Sequence, residues 1–185
     1  MRLAKLYITG GPASGKTTLS RSLAATLEVP VHEMDGVLLS HEGREEPFEA
    51  TSNRAVSRIT AEDSWVVEGS YLGWVDPLLR QADLVVWMYV PWRVASYRII
   101  FRHVKATVAR NNRFPGWRNL YRFWRWSGKF YKSQNPSGLN PWGVPDTRAT
   151  MIEYLTPYKD KLVACQINKG VEQVMARISA ASLQE

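Results

Sequence analysis

Near its amino end the chain reads Gly10-Gly11-Pro12-Ala13-Ser14-Gly15-Lys16-Thr17. This stretch matches the pattern G-x-x-x-x-G-K-[ST] at every fixed position. The residues before it, Leu3 to Thr9, form a short apolar run that predicts a strand, whereas Leu19, Leu23 and Leu27 after it have helical spacing. A strand, a glycine-rich turn and a helix in this order are the context in which the pattern binds phosphate.

The residue types of this loop suit a polyphosphate. Glycines at positions 10, 11 and 15 allow backbone conformations in which successive N–H groups turn toward phosphate oxygens. Lys16 is expected to reach the β- and γ-phosphates, and the Thr17 hydroxyl to be a ligand of Mg²⁺. The alternative is a glycine-rich turn with an incidental lysine. We predict a nucleoside triphosphate site whose residues are Gly10, Gly11, Pro12, Ala13, Ser14, Gly15, Lys16, Thr17 and Thr18.

Length and composition limit the classes of protein. The chain has 185 residues, of which 45% are hydrophobic, enough for one buried core. We therefore expect one domain over residues 1–185. No apolar run reaches the roughly 18 residues of a membrane span, and no signal-peptide pattern precedes the first strand. The one cysteine, Cys165, has no partner for an internal disulfide. Together these features favour a cytoplasmic protein.

The net charge of +7 is concentrated in one segment. Between Leu84 and Pro145 there is no Asp or Glu. Eleven of the 24 Lys and Arg residues lie there, so the remainder of the chain has 13 basic residues against 17 acidic ones. The same segment holds 14 of the 21 aromatic residues. We expect it to face an anion.

Alternating strand and helix patterns predict a three-layer α/β fold, with a parallel sheet and helices on both faces. The predicted strands are Ala4 to Thr9, Val29 to Met34, Trp65 to Glu68, Leu84 to Val90 and Leu162 to Ile167. The predicted helices are Lys16 to Leu27, Phe48 to Ala61, Trp74 to Gln81, Arg93 to Ala109, about Asp146 to Tyr158, and Val171 to Ala181. A lid-like basic, aromatic excursion at about 110–144 interrupts the alternation, with a helix over Leu120 to Tyr131 and a loop over Gln134 to Pro145.

Two carboxylates follow predicted strands. Asp35 comes directly after the second strand and Glu68 ends the third. Because ligands of a doubly wound sheet bind outside the carboxyl ends of its strands, we expect both to face the phosphate loop. Glu68 is predicted to hold Mg²⁺ through water, and Asp35 to act as general base toward an acceptor hydroxyl or to clamp the acceptor. The alternatives are an exposed acid at a strand end and a turn-forming Asp.

Four arginines lie on or just past the helix predicted after the fourth strand: Arg98, Arg102, Arg110 and Arg113. Their planar, permanently charged guanidinium groups suit the charge of a transferring phosphoryl group. Among them we predict catalytic contact only for Arg110 and Arg113, brought over the phosphates by a mobile flap. A solvated basic face is the alternative for each.

The helix of the excursion has an aromatic stripe and a basic one. The two stripes comprise Trp117, Leu120, Tyr121 and Trp124, and Arg118, Arg122 and Arg125. We expect a lid helix whose aromatic stripe packs on the sheet domain. The alternatives are stacking on single-stranded nucleic acid, a second phosphorylated substrate, or an anionic membrane surface.

On these residues the chain resembles the adenylate-kinase-like P-loop kinases, and most of all the branch of topology modulation and flagellar-regulation-related nucleotide kinases. The resemblance covers nearly the whole length, including residues 10–17, 31–35, 65–71 and 91–102. It implies five parallel strands in the order 2-3-1-4-5, a helical lid after the fourth strand, and ATP or GTP bound with Mg²⁺.

Two positions depart from that family. Glu68 stands where the family commonly has Asp, and Gly69-Ser70-Tyr71 lacks the arginine that holds the acceptor phosphate in nucleoside monophosphate kinases. Together with the carboxylates and arginines described above, the resemblance predicts a phosphotransferase that moves a γ-phosphoryl group to a small-molecule or nucleotide acceptor. The alternative is a P-loop NTPase that acts as a nucleic-acid-linked regulatory or binding protein.

Overall fold

A computed structural model describes residues 5–43, 45–166 and 170–182. Its strands are β1 (Lys5–Gly10), β2 (Val31–Glu33), β3 (Trp65–Glu68), β4 (Leu84–Tyr89) and β5 (Leu162–Gln166). Its α-helices are α1 (Lys16–Leu27), α2 (Asp35–His41), α3 (Phe48–Thr60), α4 (Asp76–Gln81), α5 (Trp92–Val108), α6 (Trp117–Lys132), α7 (Arg148–Leu155) and α8 (Gly170–Ser182). A 3-10 helix, Thr156–Lys161, connects α7 to β5.

The five strands form one sheet in the order β2-β3-β1-β4-β5, and every neighbouring pair is parallel. This confirms the predicted fold class and strand order. The order places the carboxyl ends of β2, β3 and β1 side by side. Whatever follows these three strands therefore meets at one edge of the sheet.

Alternate residues of the central strands fill two cores, one on each face of the sheet. Leu6 and Ile8 of β1 lie in the core beneath α1 and α8. Tyr7 points to the other face, where it is fully buried with residues of α3, α4 and α7. Phe130 of α6 belongs to this second core, so the carboxyl end of α6 is anchored to the sheet.

Helices α5 and α6 follow β4 as a pair of packed helices, which we call the hairpin. The Trp92 and Trp124 rings lie 5.5 Å apart, and Trp124 Nε1 donates to Ser96 Oγ at 2.7 Å. At the free end of the hairpin the predicted aromatic stripe is only partly covered, since Trp117 is 74% and Tyr121 58% exposed. The expectation that the whole stripe packs on the sheet domain is therefore wrong for these two residues.

The remaining differences concern short elements. Helix α2 was not predicted. None of its residues is buried, so it has no buried apolar face whose spacing would mark a helix in the sequence. The helix predicted over about Asp146 to Tyr158 ends at Leu155 and tightens into the 3-10 helix, where Pro157 lacks the N–H that an α-helix would use. The predicted strand residues Ala4 and Ile167 lie outside the described residues. Among the described helices, none combines the length and apolar character that a membrane span requires.

Candidate active site

The phosphate loop, residues 10–17, runs from the last residue of β1 into the first turn of α1 and lies at the sheet edge where β2, β3 and β1 end. Gly10 has φ of 154°, and a Cβ there would lie 2.5 Å from the Met88 carbonyl oxygen of β4. A Cβ on Gly11 would meet Tyr131 Oη at 2.6 Å. The backbone contact and the positive φ require glycine at position 10, and the Tyr131 side chain approaches Gly11, so the loop is held closely by β4 on one side and α6 on the other.

Lys16, Thr17 and Glu68 meet at the start of α1. The Thr17 hydroxyl donates to Glu68 Oε1 at 2.9 Å, and Lys16 Nζ donates to the Gly11 carbonyl at 3.1 Å. Burial raises the pKa of Glu68, and the charge of Lys16 and the Thr17 hydrogen bond oppose that shift. Burial likewise lowers the pKa of Lys16 against the pull of Glu68. A buried carboxylate beside a hydroxyl supplies the hard oxygen donors that suit Mg²⁺.

Asp35 is the first residue of α2 and is exposed to solvent at the same edge of the sheet. The Tyr71 hydroxyl donates to Asp35 Oδ1 at 2.8 Å. Burial raises the pKa of Tyr71, and Asp35 adds to the rise, so the phenol stays a donor at neutral pH. Ser70, one residue earlier, donates to the Gly10 carbonyl at 2.8 Å. The stretch after β3 thus positions both the loop and Asp35.

The loop borders a cavity of about 660 Å³, which we call the loop cavity. It is lined by Ala13, Ser14, Gly15, Lys16, Thr17, Thr18, Leu19, Ser22, Asp35, Glu68, Ser70, Met88, Arg98, Phe101 and Arg102. Asp35 and Glu68 are therefore brought together with Lys16 across three neighbouring strand ends. The volume lies in the range of ligand pockets, about 300–1,000 Å³.

The arginines that reach the loop cavity are Arg98 and Arg102, both on α5. They lie within the first three turns of the helix, about 9 and 15 Å from its start at Trp92. Arg110 lies beyond the end of α5, exposed and with φ of 54°. Within the described chain it is not among the residues that line the loop cavity or its neighbour. Arg113 pairs with Glu42, just past α2.

A second cavity of about 670 Å³, which we call the hairpin cavity, adjoins the first. It is lined by Asp35, Ile99, Arg102, His103, Ala106, Asn111, Asn112, Arg113, Phe114, Asn119, Leu120, Arg122 and Phe123. Because Asp35 and Arg102 line both cavities, a ligand in each would meet at these two side chains.

Arg148 is a further cation near the loop that the sequence patterns did not single out. Its guanidinium lies 4.3 Å above the Tyr89 ring, and its Nε is buried without a hydrogen-bond partner among the described residues. The neighbouring Tyr131 hydroxyl donates to the Pro12 carbonyl at 2.8 Å. Burial raises the pKa of Tyr131 and the charge of Arg148 opposes the rise. In the sequence, the available signal for Arg148 was its position in the first turn of a helix that follows a proline-rich loop.

The comparison with known proteins rests on structure. Neither the protein-family models nor the curated protein sequences match this chain. A gluconokinase from Sinorhizobium meliloti superposes with a TM-score of 0.56 at 14% identity, over 99% of this chain and 95% of that one. A shikimate kinase from Acinetobacter baumannii, in complex with shikimate, gives 0.52 at 16% identity, over 98% and 93%. A shikimate kinase from Aquifex aeolicus gives 0.51 at 12%, over 98% and 99%. The chain therefore has the fold of the P-loop kinases.

Proposed function

We propose that this protein is a phosphotransferase that moves the γ-phosphoryl group of ATP, or of GTP, to a hydroxyl of a small-molecule or nucleotide acceptor. The observation that carries the proposal is the loop cavity, where Lys16, Glu68, Asp35 and Arg102 line one space. Carboxylates near an amine and a guanidinium are groups that recur at sites of phosphoryl transfer.

In this proposal the backbone of residues 10–18 and Lys16 bind the triphosphate, while Thr17 and Glu68 hold Mg²⁺. The ion supplies charge neutralisation at the β- and γ-phosphates when it is bound. The Thr17–Glu68 hydrogen bond of 2.9 Å keeps both oxygens at the start of α1, where a bound phosphate also meets the helix N-terminus.

Asp35 takes the proton of the acceptor hydroxyl as that oxygen bonds to the γ-phosphorus and the bond to the bridging oxygen breaks, releasing the nucleoside diphosphate. Tyr71 holds the carboxylate in place through its 2.8 Å hydrogen bond. We propose that Arg98 and Arg102, which line the loop cavity, neutralise the negative charge of the transferring phosphoryl group. Arg113, which lines the hairpin cavity, is placed near the acceptor. The proposal does not use Arg110.

The solved structures with this fold support a small-molecule acceptor, since they include shikimate kinases and a gluconokinase. The sequence resemblance to the topology modulation branch supports a nucleotide kinase relationship but names no acceptor. A cytoplasmic location, where ATP and Mg²⁺ are available, is part of the proposal.

The test is a screen of nucleoside monophosphates, nucleosides and small hydroxylated metabolites for stimulated release of ADP or GDP. A kinase is expected to show turnover that rises at least about tenfold with the right acceptor, because the positioned hydroxyl replaces water as nucleophile. Slow hydrolysis that no acceptor stimulates, together with nucleotide-dependent binding of single-stranded oligonucleotides, would instead favour the regulatory NTPase.

Replacing Glu68 by Gln is expected to raise the Mg²⁺ concentration needed for half-maximal nucleotide binding by about 10- to 100-fold, the usual effect of losing a group that orients metal ligands. The uncharged amide keeps the shape of the side chain but removes the negative charge beside Thr17. Calorimetric titration of ATP at several Mg²⁺ concentrations measures the effect without catalysis. Glu33→Gln is the matched control, since Glu33 pairs with Arg21 outside the loop cavity. Equal Mg²⁺ dependence in all three proteins would remove Glu68 from the metal site.

A further inference from the structure

The hairpin cavity lies where an acceptor must lie if the loop cavity holds the nucleotide. The two cavities share Asp35 and Arg102, so a molecule that fills the hairpin cavity presents its nearest group to both side chains. Apart from Asp35 at the start of α2, its walls come from α5, from α6 and from the turn between them. A ligand there is thus enclosed mainly by the hairpin.

The charges that line this cavity favour an anion. Three guanidinium groups, those of Arg102, Arg113 and Arg122, face a single carboxylate, that of Asp35. Arg113 is paired with Glu42. Across the described residues, no carboxylate forms an ion pair with Arg102 or Arg122. With Asp35 counted against Arg102 and Arg122, one net positive charge remains for a ligand that carries negative charge.

Of the nine other lining residues, five are apolar, and the polar ones are His103, Asn111, Asn112 and Asn119. Ile99 and Leu120 are 2% and 8% exposed and close the inner side, while the Phe123 ring lies on α6 near Arg122. Phe114 lies at the outer side, 63% exposed, with the Arg113 guanidinium over its ring. Apolar walls with a few convergent polar groups are typical of sites for a small organic molecule. A ring or another flat apolar body fits between these side chains.

The stretch after β3, by contrast, has no cation to offer an acceptor. Ser70 donates to the Gly10 carbonyl, and Tyr71 donates to Asp35. Both hydroxyls thus bind groups of the protein itself. An anionic acceptor would therefore need cationic side chains from another part of the chain, and the hairpin supplies them.

Building on the phosphotransferase activity proposed above, we propose that the acceptor is a small ring compound with a carboxylate or phosphate group. Its anionic group binds Arg122 in the hairpin cavity, its ring lies against Leu120 and Phe123, and its hydroxyl reaches Asp35, beside which Arg102 contacts the transferring group. Arg122 is thereby a residue that determines acceptor specificity. The hairpin takes over the role that an arginine after β3 would have.

A binding experiment tests this assignment without knowledge of the natural acceptor. Benzoate, phenyl phosphate and benzyl alcohol are titrated by calorimetry into the protein with saturating Mg²⁺ and a non-hydrolysable ATP analogue, so that the phosphate loop is filled. We expect at least one anionic probe to bind about tenfold or more tightly than benzyl alcohol, the effect of one charge-assisted hydrogen bond. Whether benzoate or phenyl phosphate binds more tightly distinguishes a carboxylate from a phosphate acceptor.

Arg122→Gln is expected to weaken the better anionic probe by about tenfold and to leave binding of the ATP analogue unchanged. Arg125→Gln is the matched control, because Arg125 is an exposed arginine of the same helix that does not line the cavity. The proposal is overturned if no probe binds, if benzyl alcohol binds as well as the anions, or if both variants lose the same affinity.

The acceptor screen separates this inference from the proposed function. If an uncharged acceptor stimulates turnover and Arg122→Gln leaves its KM unchanged, the protein is a kinase and the anion assignment is wrong. If the anionic probe binds as expected but no acceptor stimulates release of ADP or GDP, the cavity is an anion site and the phosphotransferase proposal fails.

Discussion

Replacing Lys16 by Ala is expected to lower acceptor-dependent turnover by about 10³-fold, the effect of removing a major charge from a phosphoryl-transfer site. The fold should be unaffected. In the structure the Lys16 amine donates to one backbone carbonyl, that of Gly11. Burial lowers the pKa of Lys16, so the cost of burying its charge works against that hydrogen bond. The melting temperature is therefore expected to stay within about 3 °C, which corresponds to roughly 1 kcal/mol for a chain of this size.

The measurement is coupled ADP release with thermal unfolding followed by circular dichroism. Lys129→Ala is the control, since Lys129 is an exposed lysine of α6 outside the loop cavity. Full activity of the Lys16 variant would show that the loop does not bind the reacting triphosphate. A large fall in melting temperature would mean that Lys16 serves the fold instead.

Asp35→Asn is expected to lower kcat by about 10²- to 10⁴-fold, the range for loss of a general base, with little change in the KM for ATP. The amide keeps the size of the side chain but has little affinity for a proton.

A substitution at Tyr71, which donates a hydrogen bond to Asp35, tests the same site. Tyr71→Phe removes the 2.8 Å hydrogen bond to Asp35 and is expected to cost less than about tenfold, because the base is still present but less well held.

Glu33→Gln is again the control, because Glu33 ends β2 two residues before Asp35 and is bound to Arg21. Steady-state rates over a range of acceptor and ATP concentrations separate kcat from the two KM values. Unchanged turnover in the Asp35 variant would make Asp35 a turn residue at the start of α2. An equal loss in the Glu33 variant would indicate a general disturbance of this strand end.

The core of the fold was predictable because local patterns decide it. The apolar strands, the glycine-rich loop and the helical spacing after it are each marked by residue type, and α1 and β3 begin and end at the predicted residues. The closeness of Asp35 and Glu68 followed from one fact of topology, that the carboxyl ends of parallel strands share an edge. The strand order came from the family resemblance and not from the strand patterns, which do not encode it.

The hairpin was less predictable because its geometry depends on distance along a helix. Arg98, Arg102 and Arg110 look alike in sequence. Only the first two lie near the sheet edge, since the 17 residues of α5 span about 25 Å and carry the chain away from it. The ion pair that draws Arg113 to Glu42 is a long-range contact with no sequence pattern. The hairpin cavity likewise exists only once α5 and α6 are packed together.

The central claim is that a phosphoryl group passes from a nucleotide bound at the loop to an acceptor beside Asp35. The most direct measurement follows the label from γ-³²P-ATP in the presence of the best acceptor from the screen. Nearly all the label that leaves ATP is expected on the acceptor, in equal amount to the ADP formed. With Asp35→Asn this transfer is expected to slow by about 10²- to 10⁴-fold. Label that appears as inorganic phosphate, at a rate that neither the acceptor nor Asp35 affects, would contradict the account.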